Sequence, residues 1–155
     1  MIPGASAPGE RRKMVETIRA VIAGIIALVL STSVVESRPA YTQEDINLLA
    51  EVIYHENWHT DSEHLAAYYT GAVVMNRVKS KNWPDTIEKV LYQRGQYSTT
   101  KYFFTKEIPE ECYQMARDIL LFGTPDVPET VIFQSTFRQG SGKWKVINGE
   151  WFCYE

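Results

Sequence analysis

Residues 42–59 read TQEDINLLAEVIYHENWH. Thr42 is suited to cap a helix, and Asp45 stands three residues on, where its side chain can return the bond. Ile46, Leu49 and Ile53 recur at helical spacing with Val52 beside them, so the segment predicts a helix to about Trp58. Glu56 follows Leu49 by seven residues, Val52 by four and Ile53 by three, which places it on the apolar face near the helix's C-terminal end. A carboxyl there faces the core edge or a cleft. Partial burial raises its pKa by disfavouring the anion. The plainer alternative is a solvated helix-end Glu, or one paired with Arg77 or Lys79.

Working outward, Asp61 or Ser62 is expected to cap a second helix over about 63–81, with Leu65, Tyr68, Tyr69, Ala72 and Asn76 along one stripe. Pro84-Asp85 suits the first turn of a short third helix reaching Tyr92. Gly95-Gln96-Tyr97-Ser98 reads as a loop. A fourth helix over about 109–122 should stop at Gly123. After Pro128 the character changes: Thr130–Gln134 is rich in β-branched and aromatic residues. Lys143–Ile147 and Glu150–Tyr154 flank Asn148-Gly149, a pair that accepts the positive φ of a type I′ hairpin. The expected class is α+β, mainly helical with a small C-terminal antiparallel sheet.

Residues 1–40 read as an extension and residues 41–155 as one domain, joined at Arg38-Pro39-Ala40. Residues 20–35, AVIAGIIALVLSTSVV, follow Arg11-Arg12-Lys13 and Arg19. That is the pattern of an export signal, cleaved after Ser33 or Ser37, or of an uncleaved anchor. Met14 is an alternative start. Membrane contact is expected only through this apolar segment, and the domain is expected outside the cytoplasm as a monomer. The extension has five Lys/Arg and three Glu, leaving eleven basic and sixteen acidic residues, a net of −5, to the domain. Such a balance is a poor match to nucleic acid. Cys112 and Cys153 are either one disulfide of an exported domain or two buried thiols.

Two chemistries compete at Glu56. His55-Glu56-x-x-His59 fits the zinc pattern H-E-x-x-H, in which two imidazoles share a helix face and the Glu activates a metal-bound water. A catalytic zinc needs a third protein ligand. Ser62 and Leu65 stand where the metzincin pattern requires Gly and His, His64 has the wrong spacing, and Glu88 is the one suggestive acid downstream. Thr60-Asp61-Ser62 also reads as a break, which puts His59 beyond the helix. In the second chemistry Glu56 acts alone as a general acid and no metal or other cofactor is involved.

Further along, the chain reads Gly71-Ala-Val-Val-Met-Asn76-Arg77-Val78, then Trp83-Pro84-Asp85-Thr86-Ile87-x-x-Val90-Leu91-Tyr92-Gln93, then Gly95-Gln96-Tyr97-Ser98. In this order, across 43–155, it resembles the SleB-type cell wall hydrolases, the family of spore cortex-lytic enzymes. Ile147-Asn-Gly and Phe152-x-Tyr154 are similar to that family's closing strand. The resemblance implies a lysozyme-like fold, peptidoglycan glycan strands as substrate, and lytic transglycosylase or muramidase chemistry. It implies Glu56 as the catalytic acid and Gln96, Tyr97 and Ser98 as a cleft-lining loop. The chain departs from the family's G-E-A-R-G-E around the acid, reading His55-Glu56-Asn57-Trp58-His59-Thr60.

One carboxyl suffices for a lytic transglycosylase, whereas ordinary hydrolysis uses two about 5–9 Å apart. Glu56 alone is well placed by pattern, since Asp61 and Glu63 read as helix-start residues. Tyr54, Trp58, Tyr97, Tyr102, Phe103 and Phe133 are candidate sugar-facing aromatics, with core packing the favoured reading of Phe103 and Phe133. Tyr54 and Asn76 join the expected substrate-binding set. For Asn76, on the apolar face of the second helix, a bond to backbone around the Glu56 loop is favoured over contact with sugar. A non-catalytic wall-binding module remains the third reading.

Overall fold

Helix α1 (Gln43–Asn57) begins as its cap residues predict. Thr42 Oγ1 accepts from the Asp45 N–H at 3.1 Å, and the Thr42 N–H donates to the Asp45 carboxylate at 2.9 Å. These reciprocal bonds satisfy donors that the first turn would otherwise leave unpaired. The computed structural model describes residues 41–155. The signal or anchor at 20–35, the Arg38-Pro39-Ala40 linker and the domain boundary at 40 lie outside the described residues.

Helix α2 (Leu65–Lys79) starts later than its spacing suggests. His64 takes the left-handed conformation (φ 55°) and stacks on Trp58 with centroids 3.7 Å apart. Asp61 then caps from outside the helix, its two carboxylate oxygens accepting from the N–H groups of Leu65 (2.8 Å) and Ala66 (3.0 Å). Midway along α2, a Cβ added to Gly71 would lie 2.5 Å from Ile119 Cδ1 and 3.2 Å from Ile53 Cδ1. The glycine thus lets α2 approach both α1 and α4 (Glu110–Phe122) closely.

Helix α3 (Ile87–Leu91) is shorter than expected: Thr86 is its cap, accepting from the Lys89 N–H at 3.2 Å, and Pro84-Asp85 precede it. The loop at Gly95 leads into a 3-10 helix (Ser98–Tyr102). Helix α4 ends at Gly123, whose φ of 73° marks the stop.

Strands β1 (Val131–Ser135), β2 (Gly142–Ile147) and β3 (Glu150–Tyr154) form an antiparallel sheet in the order β1-β3-β2. Asn148 (φ 47°) and Gly149 (φ 93°) make the predicted tight turn between β2 and β3. The class is α+β, with the sheet at the C-terminal end.

The core has two parts. Leu49, Val52, Ile53, Val90, Leu91 and Ile119 pack the helices together, while Tyr69, Val73, Val131 and Phe152 join α2 to the sheet. Polar side chains cross this second junction. Asn76 Nδ2 donates to the carbonyls of Pro128 and Val131, each at 3.0 Å, and Arg77 Nε donates to the Ile132 carbonyl at 2.7 Å. Cys112 and Cys153 are buried free thiols. Burial, aided by the charges of Glu111 and Glu51, pushes the Cys112 thiol up to about 12. Among the described residues, no helix is long and apolar enough to cross a membrane.

Candidate active site

Glu56 stands in the last turn of α1, one residue before the helix ends. Its carboxyl opens onto a cleft of about 360 Å³, whose other walls include Arg77 from α2, the Gly95-Gln96-Tyr97 loop, Phe133-Gln134-Ser135 from β1, and Glu150 from β3. The site therefore collects side chains from both halves of the fold.

Burial pushes the Glu56 carboxyl above the ordinary carboxylate range. A hydrogen bond from Thr99 Oγ1 to Glu56 Oε1 opposes this, as do the nearby His55 and Arg77. Thr99 comes from the 3-10 helix, so that turn positions the acid's partner. Thr99→Val should remove the hydroxyl and keep the shape. Glu56 should then hold its proton to higher pH, and the alkaline limb of any activity that needs protonated Glu56 should move up. An unchanged pH–rate profile would mean that the Thr99 bond does not tune the acid.

The cleft contains a second carboxyl, which pattern reading missed. Glu150 is also raised by burial; an Asn57 hydrogen bond lowers it and the charge of Glu56 raises it. Burial and the charge of Glu56 together make Glu150 hold its proton more tightly than an ordinary carboxyl. No helical or zinc-type spacing links Glu150 to Glu56, so only the alternation of β3 could have drawn attention to it. Glu150 and Phe152 share a strand face. Phe152 is completely buried, so a carboxyl in the same row is out of place for plain packing.

Tyr97 and Gln96 lie in the cleft wall as the loop reading expects. The Tyr97 ring is buried, and burial pushes its phenol up to about 12. Among the described residues, its hydroxyl and both amide atoms of Gln134 are buried without a hydrogen-bond partner. Native interiors pair nearly all such groups, so their concentration beside one cleft singles it out. Arg77 is held by Ile132 and lies under two rings, 4.2 Å from the Trp83 centroid and 5.3 Å from that of Tyr97. Phe133, read as a core residue, instead lines the cleft.

Three residues of the expected set stand apart from the cleft lining. Ser98 is exposed at the start of the 3-10 helix. Tyr54 is half-buried between His55 and His59, with Lys106 Nζ 4.7 Å from its ring centroid. Asn76 is a correction: its amide is committed to Pro128 and Val131, so it fastens α2 to β1 rather than reaching the cleft. Its place on the apolar stripe signals burial, and the carbonyls it meets come from a segment 52 and 55 residues away.

The H-E-x-x-H residues diverge. His55 turns inward to Glu51, with Nε2 3.2 Å from Oε2, a contact at ion-pair distance that lacks hydrogen-bond alignment. His59 is exposed beyond the end of α1. The two imidazoles do not share a helical face, and no cluster of three or more His, Cys, Asp or Glu suited to a metal occurs among the described residues. Trp58 is buried against His64, away from the cleft lining.

Residues 61–148, more than half of the chain, match the family model described as Cell Wall Hydrolase. The chain belongs to the cell wall hydrolase family. Membership makes peptidoglycan the substrate of this cell wall hydrolase and places its work at the wall, outside the cytoplasm. The matched span holds Arg77, Gln96, Tyr97, Thr99 and Gln134, whereas Glu56 and Glu150 flank it on either side. No curated protein and no solved structure matches this cell wall hydrolase.

Proposed function

We propose that the domain cleaves the glycan strands of peptidoglycan, with Glu56 as the general acid. The setting of Glu56 carries this reading: a half-buried carboxyl, raised by burial, in the wall of a cleft assembled from helix, loop and sheet. Protonated Glu56 donates to the glycosidic oxygen as the C1–O bond breaks. This step is common to hydrolysis and to the intramolecular route. In the latter, the Glu56 carboxylate takes the proton of the muramoyl C6 hydroxyl as that oxygen attacks C1, closing a 1,6-anhydro ring.

Gln96, Tyr97 and Phe133 supply a mixed polar and aromatic wall of the kind that suits sugar rings. Ser98 and Tyr54, nearby on the 3-10 helix and on α1, are proposed as outer substrate contacts. Residues 1–40 are proposed to export or anchor a monomeric domain, with membrane contact confined to 20–35. The direct test is digestion of purified sacculi by the full chain, followed by mass spectrometry of the soluble fragments. Breaks between sugars are expected. Fragments cut only within the peptide stems would sink the reading.

A further inference from the structure

We propose that Glu150 is the second carboxyl group of the reaction, the base that takes a proton from a water attacking the sugar's C1. The domain would then cut glycan strands by hydrolysis. This inference rests on Glu56 being the acid.

The observation behind it is how Glu150 is held. It opens β3 directly after the Asn148-Gly149 turn and lines the same cleft as Glu56. The turn is fastened to the end of α1 by linked bonds. Asn148 Nδ2 donates to the Thr60 carbonyl at 2.7 Å, and Thr60 Oγ1 donates to Asn57 Oδ1 at 2.7 Å. The Asn57 amide donates to Thr70 Oγ1 at 2.9 Å, and the Asn57 side chain is near enough to Glu150 to favour its carboxylate. Asn57 is the residue directly after Glu56, and it is buried. One buried side chain thus ties the turn that leads into Glu150 to the residue directly after Glu56. This is how a supporting residue preorganises a reacting pair.

A structural role accounts poorly for the same facts. Glu150 forms no ion pair among the described residues, although it is half-buried and sits beside another carboxyl. Burial of an unpaired acid near a like charge is unfavourable for stability. Active sites are where such arrangements persist.

The step balances with water as the co-reactant. Glu56 gives its proton to the glycosidic oxygen, and the C1–O bond breaks with its electron pair going to that oxygen. The water oxygen bonds to C1, and a water proton passes to the Glu150 carboxylate. Glu56 is left ionised and Glu150 protonated, and exchange with solvent restores the pair.

The test uses the full chain on purified sacculi, with borohydride treatment of the products. Hydrolysis leaves reducing ends that borohydride converts to alditols, whereas 1,6-anhydro ends resist it. Reducible ends are expected from wild type. Glu150→Gln should lower the rate by about 100-fold or more, and added azide, a small external nucleophile, should restore part of it. Anhydro ends from wild type overturn the proposal, and so does a Glu150→Gln variant within a few-fold of wild type. The wild-type ends decide the matter even where that variant folds poorly. In either overturning case the Glu56 reading stands, because its own failure appears separately as an active Glu56→Gln variant or an undigested wall.

Discussion

Glu56→Gln should reduce glycan cleavage by about 10²–10⁴-fold, the usual contribution of a positioned general acid. The amide has nearly the same shape, and its carbonyl can still accept the Thr99 hydroxyl bond. What it lacks is a transferable proton. The fold should therefore survive, and the sign of its pH dependence follows from burial. In the folded chain Glu56 holds its proton more tightly than its ordinary value of 4.5. The stability linked to that proton is fully present below the ordinary value and is lost as pH rises through the higher folded value. Gln carries no charge to bury. The melting temperature of the variant relative to wild type should accordingly rise between pH 4 and pH 7, while activity is lost throughout. An inactive variant that also melted earlier at neutral pH would show instead that the carboxyl holds the structure together.

Arg77→Met should weaken both the fold and the tuning of the acid. Arg77 is 3% exposed and donates to the Ile132 carbonyl at 2.7 Å, tying α2 to β1. Met fills much of the volume but leaves that carbonyl unpaired and removes the cation from the faces of Trp83 and Tyr97. Loss of the guanidinium also relieves its desolvation, so the net cost is about 2–3 kcal/mol rather than the sum of the lost contacts. For a domain of this size that is a fall of roughly 10 °C in Tm. The second effect is electrostatic. Arg77 favours the Glu56 anion, so without it Glu56 should keep its proton to higher pH and the alkaline limb of activity should move up. A melting temperature within about 2 °C of wild type would remove Arg77 from the account of stability. An unmoved pH profile would remove it from the account of the acid.

Much of the fold was legible because its signals are local. The Thr42 and Asp45 cap, the stop at Gly123 and the Asn148-Gly149 turn each depend on a few adjacent residues, and each occurs as read. The start of α2 was misjudged because it depends on a contact outside local pattern: His64 turns back onto Trp58, and Asp61 reaches past it to cap Leu65 and Ala66. Asn76, a polar residue on an apolar stripe, fits either a bond to backbone or a contact with substrate, and its pattern does not say which backbone it meets. Only the arrival of the Pro128 and Val131 carbonyls selects between them.

The sequence by itself determined the α+β class and family resemblance, and it placed Glu56 on the inner face of a helix near its end. Helical period and turn chemistry act over a few residues and need no distant partner. The tertiary structure alone decided what surrounds that carboxyl. The Thr99 hydroxyl reaches Glu56, and Arg77, Gln134 and the second carboxyl of Glu150 join it in the cleft from other elements; no periodicity in one segment records which side chain of another will face it across a cleft.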